Sequence, residues 1–126
     1  SGYAGGKASD ANYDAVSVAE TVETMTKARL PPRIMIDCSH ANSRKRFEMQ
    51  PEVFRDVLRQ RRDGNEHVMG VMLESNIHEG NQPIPLDLSE LKYGVSVTDG
   101  CIAWPCTEGL LREAHEQLAS GEVFAV

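Results

Sequence analysis

No apolar run in this 126-residue chain approaches the length needed to cross a bilayer, so a membrane partner is not expected. Cationic side chains are in deficit: 13 Lys and Arg stand against 19 Asp and Glu, a formal net charge of −6. Nucleic acid is bound by a basic face that displaces counterions from phosphate, and this balance argues against such a partner. The local exceptions are Arg44, Lys45 and Arg46, and the group Arg55, Arg59, Arg61 and Arg62. Both read as solvated loop and helix surface. Cysteine is sparse and odd in number. Cys38 stands alone, and Cys101 and Cys106 lack the paired spacing of a zinc ribbon, so three reduced thiols are expected rather than a disulfide framework. The first residues are small and polar and lack the basic-then-apolar order of a leader peptide, which makes a cytoplasmic location the default expectation. Internal repeats and low-complexity segments are absent.

What is present fits one globular domain of α/β type. Residues 1–11 read as a flexible lead or the end of a preceding strand, and residues 12–126 as the folded part. Asn12 is a candidate N-cap for a helix whose Val18, Val22, Met25 and Arg29 share one face, stopped by Pro31 and Pro32. Residues 33–38 read as a buried strand. A helix follows over residues 51–62, with Val53, Phe54, Val57 and Leu58 as its apolar stripe, and residues 67–73 read as a second strand. A strand–helix–strand unit implies a parallel pair. Residues 75–106 carry no long periodic pattern, and Tyr93 and Trp104 are expected to pack this loop down. A last helix is expected after Thr107 as N-cap, burying Leu110, Leu111, Ala114 and Leu118 and ending near Gly121.

Three short segments carry the chemistry: IMIDCSHAN (residues 34–42), VMLESNIHEGNQ (71–82) and VSVTDGCIAW (95–104). Each associates one possible metal ligand with an apolar, strand-like run: His40, Glu74 and Asp99. Barrel enzymes build sites from side chains at the carboxyl ends of successive parallel strands. An imidazole with two carboxylates suits a divalent ion such as Mn²⁺, Fe²⁺, Co²⁺ or Zn²⁺. Taken singly, His40 could instead bond a backbone carbonyl, Glu74 cap a helix or loop, and Asp99 initiate the turn at Gly100. Asp37, a carboxylate at the end of an apolar strand, must find a partner or solvent, and could orient His40 or form an ordinary loop salt bridge. His67, His78 and His115 receive no role.

Over residues 12–119 these runs, in this order, resemble the C-terminal part of class I 3-deoxy-7-phosphoheptulonate (DAHP) synthase, the transferase that opens the shikimate pathway of aromatic amino acid biosynthesis. The resemblance implies the C-terminal portion of a (β/α)₈ TIM barrel. It also implies His40, Glu74 and Asp99 as metal ligands, with Asp37 and His40 as the residues nearest the chemistry. The implied substrates are phosphoenolpyruvate and erythrose 4-phosphate, condensed with release of phosphate while a divalent metal polarises the aldehyde oxygen.

A complete barrel needs about 250 residues, so the expectation is an incomplete barrel, inactive alone, that self-associates or binds a complementary fragment. Two departures from the family accompany this. Ala4 stands in GYAGG where an arginine precedes the Gly-Gly pair, and Val95 stands where many relatives carry lysine. The family's cysteine ligand and most of its phosphate-binding cations come from earlier strands that this chain does not resemble. The alternative is a non-catalytic regulatory or assembly module derived from the barrel.

Overall fold

Polar side chains set the ends of the first helix. In the computed structural model, which describes residues 10–122, the Asp14 carboxylate accepts the Ser17 N–H at 3.0 Å and the Ser17 hydroxyl at 2.7 Å. This two-bond cap starts α1 (Ala15–Lys27). Asn12, expected in that role, is engaged elsewhere: its N–H donates to Asn42 Oδ1 at 2.7 Å. The helix ends through paired bonds, Leu30 N–H to the Met25 carbonyl and Arg29 N–H to the Thr26 carbonyl, with Arg29 left-handed at φ 59°. Of the expected stripe, Val18 is buried, Val22 and Met25 are half-buried, and Arg29 is exposed.

The chain then runs into β1 (Ile34–Asp37), α2 (Gln50–Arg62) and β2 (Val68–Met72). The two strands pair in parallel, as the strand–helix–strand pattern requires, with Asp37 opposite Met72. Pro51 in the first turn of α2 costs nothing, because an N–H there has no intrahelical acceptor. Val53, Phe54, Val57 and Leu58 on α2 pack with Val18, Ile36, Cys38, Val68, Ile102 and Leu110 as the core.

Beyond β2 the strand direction continues as β3 (Ser75–Asn76), which pairs in parallel with β4 (Ile102–Ala103). The 75–106 segment is therefore organised. Short strands lie at both its ends, with a bridge from Gly80 to Cys101, a bridge from Asn81 to Ser96, and a 3₁₀ turn at Leu88–Glu90 between them. Its pattern was invisible because each strand has two residues. Tyr93 and Trp104 do not pack this segment down; both are exposed.

The last helix, α3 (Trp104–Glu122), starts three residues before the expected cap. Thr107 is already inside it, its hydroxyl directed at the Ala103 carbonyl and at Ser75 Oγ, 2.5 Å away. Leu110 is buried and Ala114 half-buried, whereas Leu111 and Leu118, expected inside, are partly exposed. Helices cover one face of the sheet. On the other, Met35 is 62% exposed, whereas Met69, 63% exposed, borders a groove that Leu58 of α2 and Leu111 of α3 also line. All three cysteines are free thiols, as expected.

Two measurements check this packing. Leu110, 2% exposed at the centre of α3, is expected to cost about 2–5 kcal/mol of stability when truncated to Ala, read from the shift in urea midpoint. Burial, with the Asp37 charge adding to it, pushes the Cys38 thiol up to about 12, and thiolate is the reactive form. Iodoacetamide at pH 8 should therefore modify Cys101 and Cys106 well before Cys38 in the native protein; equal rates would contradict the packing.

Candidate metal centre

His40, Glu74 and Asp99 converge although 25 or more residues separate each from the next. Their ligand atoms all lie within 4.8 Å of one another. His40 Nε2 stands 3.5 Å from Glu74 Oε1 and 3.4 Å from Asp99 Oδ2. Metal–ligand bonds of roughly 2.0–2.2 Å place neighbouring donor atoms about 3.0–3.6 Å apart, so both spacings fit a common ion without rearrangement.

Each ligand reaches this point from a different local structure. His40 opens a 3₁₀ turn (His40–Ser43) directly after β1. Glu74 sits in the break between β2 and β3. Asp99, expected within the third apolar run, lies in the loop that enters β4. Close packing beneath it explains why a glycine follows. A Cβ on Gly100 would come 2.6 Å from Phe47 Cδ1, so only glycine lets the loop settle there.

Side chains around the ligands hold their orientation. Asp37 Oδ2 lies 2.8 Å from His40 Nδ1, and because a carboxylate only accepts, Nδ1 carries the proton and Nε2 faces Glu74 and Asp99. Asp37 is itself fixed: its Oδ1 accepts the Ser39 N–H at 2.8 Å, and its carbonyl accepts from the Asn42 amide at 2.7 Å. The Ser39 hydroxyl donates to Glu74 Oε2 at 2.5 Å, leaving Oε1 for His40. The fully buried Gln50 amide bonds both backbone groups of Glu74, at 2.8 and 3.0 Å.

Three non-glycine residues near the site, His40, Arg44 and Lys45, have φ between 50° and 58°. Such conformations cost on the order of 1–3 kcal/mol each and persist where surrounding bonds enforce them. Here the Lys45 N–H donates to the His40 carbonyl at 2.8 Å and the Arg44 N–H to that of Ala41 at 3.1 Å.

The electrostatics favour a cation. The hydrogen bond to Asp37 raises the His40 pKa above its usual value, burial opposes this, and the charges of Asp37, Glu74 and Asp99 reinforce it. Burial likewise pushes the Cys101 thiol up; a bond from Ser96 opposes it, and the smaller effects of the Glu74 and Asp99 charges add to the rise. An open cleft of about 350 Å³ exposes the cluster, lined also by Lys45, Phe47 and Asn81.

Lys45 was expected to be plain solvated surface; it lines this cleft. Gln50 and Asn42 carried no sequence signal at all, since an amide at a helix start or in a loop has no periodicity. His67, His78 and His115 are not among the cleft residues, and His67 instead pairs with the Pro32 carbonyl at 2.9 Å. Ala4 lies outside the described residues.

Comparison with known proteins gives the same picture. Residues 1–112 match the model of the DAHP synthetase I family. The chain is 52% identical over 121 residues to the Tyr-sensitive phospho-2-dehydro-3-deoxyheptonate aldolase of Escherichia coli K12, covering 96% of this chain and 33% of that protein. It is 47% identical over 108 residues to the tyrosine-inhibited enzyme of Schizosaccharomyces pombe, covering 83% of this chain and 29% of that one. The solved phospho-2-dehydro-3-deoxyheptonate aldolase of Francisella tularensis SCHU S4 superposes with a TM-score of 0.81 at 37% identity, covering 89% of this chain and 32% of that one. The chain thus spans about a third of the length of these relatives. A match over most of the sequence, together with a superposable fold, means that the chain belongs to the DAHP synthetase I family.

Proposed function

We propose that this chain supplies the metal centre and the carboxyl-terminal portion of the TIM barrel of a 3-deoxy-7-phosphoheptulonate synthase. The reaction joins C3 of phosphoenolpyruvate to the aldehyde carbon of erythrose 4-phosphate, consumes water and releases phosphate. The observation that carries this reading is the convergence of His40, Glu74 and Asp99, one from each of three separate segments, within 4.8 Å.

In this reading His40 Nε2, Glu74 Oε1 and Asp99 Oδ2 hold a divalent ion, and the mixed nitrogen and oxygen set suits Mn²⁺, Fe²⁺, Co²⁺ or Zn²⁺. When bound, such an ion supplies Lewis-acid polarisation of the aldehyde oxygen. The chain's own residues do the positioning. Asp37 holds the proton on His40 Nδ1, which keeps the Nε2 lone pair directed inward. Ser39 holds Glu74 Oε2, so the carboxylate presents a single oxygen. Lys45 brings positive charge to a cleft that must admit phosphorylated substrates.

The exposed sheet face that carries Met35 is where the remaining barrel strands or a second copy would pack. Among the described residues no helix is long and apolar enough to cross a membrane, and a cytoplasmic location belongs to the same reading.

Two experiments test it. In the complete protein, His40→Ala should reduce turnover to background while leaving the circular dichroism spectrum unchanged, and removing metal with EDTA should do the same reversibly. Activity retained by His40→Ala would overturn the ligand assignment.

The second test is the pH dependence of metal binding. Because the folded His40 pKa is raised, its proton competes with the ion to higher pH than for a free imidazole, so affinity should climb as pH rises through that value. By the same sign, the stability that charged His40 contributes to the metal-free protein is present below the ordinary histidine range and lost as pH rises through the raised value. Asp37→Asn should move the imidazole titration, followed by NMR, to lower pH and weaken metal binding about 10- to 100-fold.

A further inference from the structure

Glu74 occupies a point where the sheet changes partners. The strand containing it pairs with β1 as far as Met72, whose carbonyl accepts the Cys38 N–H at 2.9 Å, and then with β4, whose Ile102 N–H donates to the Glu74 carbonyl at 3.0 Å. At Glu74 itself β1 has already ended, and no strand residue is present to accept the Glu74 N–H. The Gln50 side chain takes that place. Its Oε1 accepts the Glu74 N–H at 2.8 Å, and its Nε2 donates to the Glu74 carbonyl at 3.0 Å, so a side-chain amide acts as a surrogate peptide group on the open side of the strand.

Gln50 is 0% exposed and is the first residue of α2. The segment from Ser39 to Gln50 therefore returns to Glu74 twice, through the Ser39 hydroxyl on Oε2 and through Gln50 on the backbone. The N–H, carbonyl and Oε2 of Glu74 are then each held by a hydrogen bond. Oε1 is the atom that faces His40 Nε2.

We infer that Gln50 is a positioning residue for the metal centre: by bracketing the Glu74 peptide it sets where Oε1 stands relative to His40 and Asp99. This rests on the reading of the cluster as a metal site. The physical reason is tolerance. Metal–ligand distances must hold to within about 0.2 Å, and a rotation of the Glu74 backbone would be magnified along its side chain. A buried amide with two bonds resists that rotation better than water, which has no access here.

The test is Mn²⁺ affinity of the complete protein, measured by competition with a chromogenic chelator, in the wild type, Gln50→Leu, Gln50→Glu and Val57→Ala. Val57 is buried on the same helix and has no role in the cluster, so its truncation loosens the core without touching Glu74. Gln50→Leu removes both bonds, and affinity should fall about 10- to 100-fold. Gln50→Glu keeps an acceptor for the Glu74 N–H but loses the donor, so it should bind less tightly than wild type and remain measurable if Gln50→Leu fails to fold.

Val57→Ala should bind Mn²⁺ as the wild type does, and Mn²⁺ should raise its melting temperature by the same increment. That increment should shrink in the Gln50 variants. Wild-type affinity in both Gln50 variants, or an equal loss in Val57→Ala, would overturn the positioning role while leaving the metal site standing. A wild type that binds no Mn²⁺ would overturn the metal reading, and the positioning role with it.

Discussion

The structure depends on satisfying the backbone of one residue, Glu74. A parallel strand that changes neighbours must leave peptide groups without ladder partners at the crossing point, and a buried peptide group left unpaired costs about 1–3 kcal/mol. Two elements close that gap, β4 through Ile102 and α2 through Gln50. Satisfying the Glu74 peptide therefore fixes α2 against the sheet and β4 beside β3, and it also places a carboxylate in front of His40. Fold and site share one set of hydrogen bonds, which is why the ligand cluster forms within so short a stretch of chain.

The helices were legible where burial was periodic. Val53, Phe54, Val57 and Leu58 repeat at helical spacing and are all buried, and the apolar runs before Asp37 and Glu74 form the parallel pair that their separation by a helix requires. Boundaries were legible only where chemistry competes weakly. Asn12 and Asp14 are both competent caps, and Thr107 is as good a cap as any, but Asp14 holds the Ser17 N–H and the Thr107 hydroxyl is taken by Ser75. A residue that caps well in isolation can be claimed by a long-range partner that no local pattern reveals.

The cluster residues were visible for a different reason: His40, Glu74 and Asp99 sit in runs that resemble a known family in the same order. Geometry alone could not have joined residues so far apart in sequence. What supports the ligands was less visible. Asp37 could be suspected because an acid at the end of an apolar strand needs a partner. Gln50 and Asn42 could not, since their importance arises from what lies opposite them once the chain has folded. Lys45 was read as surface because it stands between two arginines; what distinguishes it is that it lines the cleft and they do not.

The charge arrangement decides what the cleft can admit. Asp37, Glu74 and Asp99 crowd around one imidazole, and on an already acidic chain they repel an anion. With His40 protonated, one positive charge offsets three negative ones. A divalent cation adds two charges and returns His40 to its neutral form, and Lys45 contributes one more beside it. On the proposed reading, a bound cation and the neighbouring Lys45 are what reconcile this acidic cluster with anionic substrates.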